Sequence, residues 1–69
     1  MTEAEGLVVK ARQNIEFARY ALHGGYADEA GRAAYMAAYH AAMAFIMARS
    51  GKSPKTHSGT RSQFAQTLL

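Results

Sequence analysis

The sequence contains no cysteine and no tryptophan, and its one proline is Pro54. Without cysteine, no disulfide can brace the chain and no thiolate can hold a metal ion. The three histidines, at positions 23, 40 and 57, are far apart in the sequence, so we expect no metal site and no cofactor. A single small core supplies only about 3–5 kcal/mol of stability. Self-association is therefore the remaining means of support.

Acidic residues are absent after Glu29. The rest of the chain is basic, and a basic half can meet phosphate groups or an acidic protein surface. The alternative is a solvated loop that is merely basic, and both interpretations stay open. The basic residues after Glu29 are Arg32, Arg49, Lys52, Lys55 and Arg61.

A long, strongly apolar run is also missing. The segment from Ala33 to Ala48 is mostly alanine and is interrupted by Tyr35, Tyr39 and His40. It falls short of the roughly 20 apolar residues that a membrane span needs. The acidic N-terminus lacks the features of a signal peptide. We therefore expect a cytoplasmic protein with no membrane partner.

Three helices are predicted, over about residues 3–22, 28–50 and 57–69. Gly24-Gly25 and Gly51 provide helix ends, and Asp28 is a good N-cap for the second helix. No stop signal follows the third helix, so we interpret residues 1–69 as a single domain that is apparently truncated. The expected fold is all-α: an antiparallel helical hairpin plus a third helix, an up-and-down bundle completed by oligomerisation.

The apolar pattern differs between the first two helices. The first has one apolar stripe, with Arg12, Glu16 and Arg19 expected on the opposite side and close enough to pair. The second is apolar on two faces, one rich in alanine and one rich in tyrosine and methionine, and the first helix can cover only one of them. The stripe is Leu7, Ala11, Ile15, Ala18 and Leu22. The predicted dimer interface is Tyr35, Met36, Tyr39, Met43 and Ile46.

Two segments carry a family resemblance. The first, from Gly25 to Ala44, has an acid-Ala turn that leads into a helix rich in tyrosine and alanine. The second, from Gly51 to Gly59, contains Pro-Lys-Thr-His-Ser-Gly and is the more specific of the two. Together they resemble the HEPN domain (higher eukaryotes and prokaryotes nucleotide-binding), in the group related to the sacsin C-terminal region.

The resemblance implies an up-and-down bundle of about four or five helices, of which this chain matches the first three. The HEPN family includes metal-independent ribonucleases, toxins paired with nucleotidyltransferase-fold antitoxins, and members that only bind. Active members use an Arg followed, after four to six residues, by a His. Here three residues separate Arg19 from His23, and seven separate both Arg32 from His40 and Arg49 from His57. The motif is not present, and whether the chain is an enzyme stays open.

The predicted ligand site is Lys55, Thr56, His57 and Ser58, at the start of the third helix. Amide donors and the positive end of the helix dipole favour an anion there, such as a phosphate of RNA or a nucleotide. The alternative is that His57 caps the helix or packs the loop. The weak catalytic candidates are Arg32, His40 and His57, since a histidine suits general acid–base chemistry. The alternative for His40 is a hydrogen-bonded core or interface residue.

Three functions remain open at this stage. The first is a HEPN-like interaction module, associated with a nucleotide or RNA, that acts as a homodimer or beside a nucleotidyltransferase-type antitoxin. The second is a metal-independent ribonuclease toxin whose Arg/His motif is lost or replaced. The third is a purely structural helical oligomer.

Overall fold

The computed structural model describes residues 1–51 and 57–68, and these ranges contain three α-helices and no strand. Helix α1 spans Glu3–His23, α2 spans Ala27–Ser50 and α3 spans His57–Leu68. The prediction of an all-α fold is confirmed. The interrupted apolar pattern from Ala33 to Ala48 forms part of α2, which lies between α1 and α3.

Local capping explains where α1 begins and ends. At its start, the Glu5 amide donates to the Thr2 hydroxyl and the Thr2 amide donates to the Glu5 carboxylate, which is a capping box. At its end, the Tyr26 amide donates to the Ala21 carbonyl and the Gly25 amide to the Leu22 carbonyl. Gly25 has φ +84°, so the end is a Schellman motif that needs the glycine.

The predicted N-cap of α2 is wrong by two residues, and the helix starts one residue earlier than predicted. Tyr26 is the N-cap, without a side-chain cap, and Asp28 lies in the first turn together with Glu29. Two carboxylates near the positive end of the helix dipole favour this start without a polar cap. At the other end, Gly51 has φ +76° and its amide donates to the Met47 carbonyl, so this glycine ends α2 as the sequence predicts.

Helices α1 and α2 form an antiparallel hairpin whose interior is mostly alanine. The three-residue connection reverses the chain, and the Asn14–His40 hydrogen bond of 2.8 Å joins the two helices near their middles. The α1 residues that face α2 recur every three or four positions; we call Ala4, Leu7, Ala11, Asn14, Ala18 and Ala21 the α1 inner row. The corresponding α2 inner row is Ala30, Ala33, Ala37, His40 and Ala44.

The predicted apolar stripe of α1 is therefore only partly correct. Ala11 is buried and Leu7 and Ala18 are half-buried, but Ile15 is 46% exposed and Leu22 is 62% exposed. Asn14 takes a place in the interface because it pairs with His40. The hairpin thus prefers small side chains at its centre and turns the larger aliphatic ones outward.

Helix α3 packs against α2 and does not contact α1 within the described residues. Phe64 meets Phe45 edge to face, with ring centroids 5.3 Å apart, and the Arg49 guanidinium lies 5.4 Å from the centroid of the Phe45 ring. Ile46 and Thr60 are the most buried large side chains, at 0% and 2% exposure. The Phe45–Phe64 contact joins α3 to α2.

Candidate functional site

A pocket of about 400 Å³ lies between α2 and α3. Three aromatic side chains line it: Tyr35 and Tyr39 from α2 and Phe64 from α3. Arg61, which is exposed, and Thr60, which is buried, complete the α3 wall. The volume falls in the range of small-molecule sites, about 300–1,000 Å³. Among the residues that the structure describes, aromatic side chains and the guanidinium of Arg61 thus share one pocket.

Sequence reasoning did not select Arg61 or Phe64 for this pocket. The two residues are three positions apart on α3, so they share one face of the helix. Tyr35 and Tyr39, four positions apart on α2, share a face in the same way. These spacings were visible in the sequence, but which helix faces oppose each other was not.

Two of the predicted ligand-binding residues, His57 and Ser58, are the first residues of α3, the helix that supplies one wall of the pocket. Lys55 and Thr56 lie outside the described residues, as do the side chains of His57 and Ser58. His57 is the first residue of α3, and Arg61 follows it by four residues, or about 6 Å along the helix. The start of α3 and the pocket are therefore neighbours on one helix.

The weak catalytic candidates are not brought together by α2. Arg32 and His40 are eight residues apart on that helix, which is about 12 Å along its axis. Arg32 is exposed and pairs with Glu29 at 3.7 Å, whereas His40 is half-buried and bonds Asn14. The His40 ring also lies 5.8 Å from the Tyr39 ring. These contacts agree with a hydrogen-bonded residue between the helices, and the catalytic role of His40 stays a prediction.

The predicted interface residues divide into three groups. Ile46 is fully buried within the chain, so it is not exposed for contact with a second copy. Met36, Tyr39 and Met43 are half-buried, and Tyr35 is 44% exposed. Phe64 and Thr60 of α3 lie beside Tyr35 and Tyr39. Helix α3 therefore covers part of the tyrosine and methionine face of α2, which was predicted to contact a second copy.

The open surface lies instead on the alanine side of the hairpin. A groove of about 810 Å³ runs between α1 and α2. Each of its walls is a second row of residues, spaced three and four apart like the inner rows. We call Glu5, Val8, Arg12, Ile15, Arg19 and Leu22 the α1 outer row, which continues past the groove at Leu22. The α2 outer row is Ala34, Ala38, Ala41, Phe45 and Ala48.

Charged side chains border this groove without pairing to each other. Within the described residues, the ion pair present is Arg32–Glu29, so the expected pairing among Arg12, Glu16 and Arg19 is not formed. All three side chains line the groove.

No group of His, Cys, Asp or Glu in residues 1–51 and 57–68 has the arrangement of a metal site. None of the helices there is long and apolar enough to cross a membrane.

The sequence model of the HEPN domain matches residues 4–65, which is most of the chain. The chain belongs to the HEPN family. Three helices and no strand in the described ranges agree with the all-α fold of HEPN domains. No significant match was found among curated proteins or among solved structures. In this HEPN domain, the aromatic pocket and the open groove are two separate surfaces that meet at Ala38 and Ala41.

Proposed function

We propose that this HEPN domain is a binding module for RNA or a nucleotide and that its site is the pocket between α2 and α3. The observation that carries the proposal is the placement of Tyr35, Tyr39 and Phe64 around one pocket with Arg61 at its wall. Aromatic faces stack on bases of any sequence, and a guanidinium pairs with phosphate through a planar fork of donors.

The charge distribution supports the same site. Every charged residue after Glu29 is basic, and α3 begins at His57, one turn before Arg61. A nucleic-acid backbone that leaves the pocket toward the start of α3 would approach the basic residues that precede this helix in the sequence. Electrostatic attraction of this kind supplies most of the sequence-independent affinity for nucleic acids. Lys55, Thr56, His57 and Ser58 are proposed to contact that backbone.

The proposal includes self-association. HEPN domains commonly dimerise, and we propose that this one acts as a homodimer in the cytoplasm. A nucleotidyltransferase-type antitoxin is the class of second partner that the family suggests. The absence of the Arg/His motif from these 69 residues favours binding over cleavage as the role of the domain.

Fluorescence anisotropy with a short labelled single-stranded RNA tests the site. We expect Tyr35→Ala to weaken binding about tenfold, since stacking on one base contributes about 1–3 kcal/mol. Tyr35→Phe keeps the ring and should change the affinity less than about twofold. Arg61→Gln should also weaken binding about tenfold, whereas Arg32→Gln, which removes the same charge elsewhere, should not.

Equal losses in Arg61→Gln and Arg32→Gln would mean that only net charge matters and that the pocket is not the site. The same RNA, incubated without metal and run on a gel, separates binding from cleavage. Intact RNA supports the binding role. Cleavage that is lost in His40→Ala or His57→Ala would make the protein a ribonuclease and overturn the proposal.

A further inference from the structure

The two outer rows repeat the geometry of the two inner rows. On each helix the inner row and the outer row both follow the alternating three-and-four spacing of helices that pack side by side. The inner rows face each other and are covered. The outer rows face the same side of the hairpin and leave Val8 at 40% and Ile15 at 46% exposure. The hairpin therefore presents half of a four-helix interface.

The α2 outer row is self-complementary about its centre. Ala41 is its middle residue, and Ala34 and Ala48 lie seven residues to either side. If a second α2 crosses antiparallel at Ala41, Ala34 meets Ala48 of the second copy. Ala38 then meets Phe45 of the second copy within about 1.5 Å along the axis. The Phe45 ring, which packs on Phe64 within its own chain, thus meets a small side chain of the second copy, which is the arrangement that packs well.

The charges along α1 are self-complementary too. From the start of the helix, the groove is bordered by Glu5, Arg12, Glu16 and Arg19, so the signs alternate. Reversing this order exchanges every sign. In an antiparallel pair of α1 helices centred near Gln13, Arg12 meets Glu16 of the second copy and Glu5 meets Arg19, each within about 3 Å along the axis. A parallel pair would place like charges together.

The two centres lie at the same level of the hairpin. The Asn14–His40 hydrogen bond holds residue 14 beside residue 40, so in an antiparallel hairpin Gln13 lies beside Ala41. One two-fold axis, perpendicular to the helices and crossing them at this level, therefore satisfies both patterns. An isologous interface requires a patch that is complementary to itself in this way.

We propose that the groove between α1 and α2 is the homodimer interface, occupied by the same groove of a second copy with its two-fold axis at Gln13 and Ala41. The inference rests on the self-association included in the proposed function and assigns it to a surface. That surface is the alanine side of α2 together with the outward side of α1. The tyrosine and methionine face stays outside this interface.

The first test compares two substitutions of exposed alanine. Ala41→Glu places two carboxylates beside the two-fold axis, and Ala65→Glu places the same side chain on α3 outside the groove. We expect light scattering to give a dimer mass for the unchanged chain and for Ala65→Glu. Ala41→Glu should be monomeric, with its dissociation constant raised more than about a hundredfold. Its helical circular dichroism should be retained, because Ala41 is exposed in the single chain.

The second test addresses the direction of the pairing. Arg12→Glu turns two attractions into repulsions and should raise the dimer dissociation constant about tenfold in sedimentation equilibrium. The double variant Arg12→Glu/Glu16→Arg restores opposite charges across the axis at unchanged net charge. It should return the constant to within about threefold of the original value.

The outcomes separate the interface from the wider proposal. A dimer that survives Ala41→Glu, or a double variant no tighter than Arg12→Glu, overturns this interface while self-association stands. A chain that is monomeric at all concentrations overturns both. RNA binding is measured on the unchanged chain and on the pocket variants, because Ala41 also lines the aromatic pocket.

Discussion

Two rows of alanine run along α2 at the same seven-residue spacing. One consists of Ala30, Ala37 and Ala44, and the other of Ala34, Ala41 and Ala48. The first row is 3–8% exposed, whereas every residue of the second is exposed. The rows differ by four positions, which is a rotation of only about 40° around the helix. The residue type is the same, so the neighbouring helix alone makes one row core and the other row surface.

The comparison also shows how a small chain builds a core. Six of the seven buried apolar residues in the described ranges are alanines. Alanine contributes little apolar area, but it lets two helix backbones approach closely and loses no side-chain entropy. The larger side chains Val8, Ile15 and Leu22 stay outside. A core of this kind buries little apolar area, and α3 and the proposed second copy would add to it.

The largest expected effect is on stability, from a substitution in the buried alanine row. Ala37→Leu inserts a bulky side chain at a position that is 3% exposed, and we expect the free energy of unfolding to fall by about 2 kcal/mol. Ala34→Leu, in the exposed row, should change it by less than about 0.5 kcal/mol. Urea unfolding measures both, each in the Ala41→Glu background so that monomers are compared. Similar losses in the two variants would show that the rows are equivalent and that the hairpin is rotated from this geometry.

A smaller loss of stability is expected when the Asn14–His40 pair of the inner rows is broken. Asn14→Ala leaves half-buried His40 without its partner at 2.8 Å, and we expect a loss of about 1 kcal/mol. The double variant Asn14→Leu/His40→Leu replaces both partners and should recover most of that loss, because no unpaired polar group remains. A double-mutant cycle by urea unfolding measures the coupling. Additive losses would mean that the bond does not stabilise the hairpin.

The smallest effect concerns the start of α1, where the outer row begins. Hydrogen bonds from the Thr2 amide and hydroxyl lower the pKa of Glu5 below 4.5. Because the folded-state pKa is the lower one, the capping box adds stability above the unfolded value, and this stability is lost as pH falls through the lowered pKa. Glu5→Gln in the Ala41→Glu background should therefore reduce the fall in urea midpoint between about pH 6 and about pH 2.5.

Glu3→Gln is the matched control for that measurement. It removes a carboxylate from the same turn but leaves both hydrogen bonds between Thr2 and Glu5 in place. We expect the pH dependence in this variant to stay closer to that of its parent. An equal reduction in both variants would assign the effect to charge near the helix start and not to the capping box.

The candidate site was predictable only in part. The sequence indicated a basic second half and the start of α3, but the pocket needs Arg61 and Phe64 to face Tyr35 and Tyr39 across two helices. The sequence does not show where α3 packs, so the tyrosine and methionine face was predicted to be exposed. Once α3 packs there, Ile46 becomes core and the unpartnered surface moves to the alanine side.

Local interactions determined where α1 and α2 end, so the sequence alone was sufficient for these two helix ends. Gly25 and Gly51 end α1 and α2 because only glycine adopts a positive φ without strain, and the periodic apolar residues between them predict helix. Which row of α2 becomes core is a different kind of question. Two alanine rows only 40° apart have the same local preference, and the rotation of one helix against another depends on side chains that interdigitate across the whole hairpin. Tertiary packing alone decided that Ala37 is buried and that Ala41 faces outward.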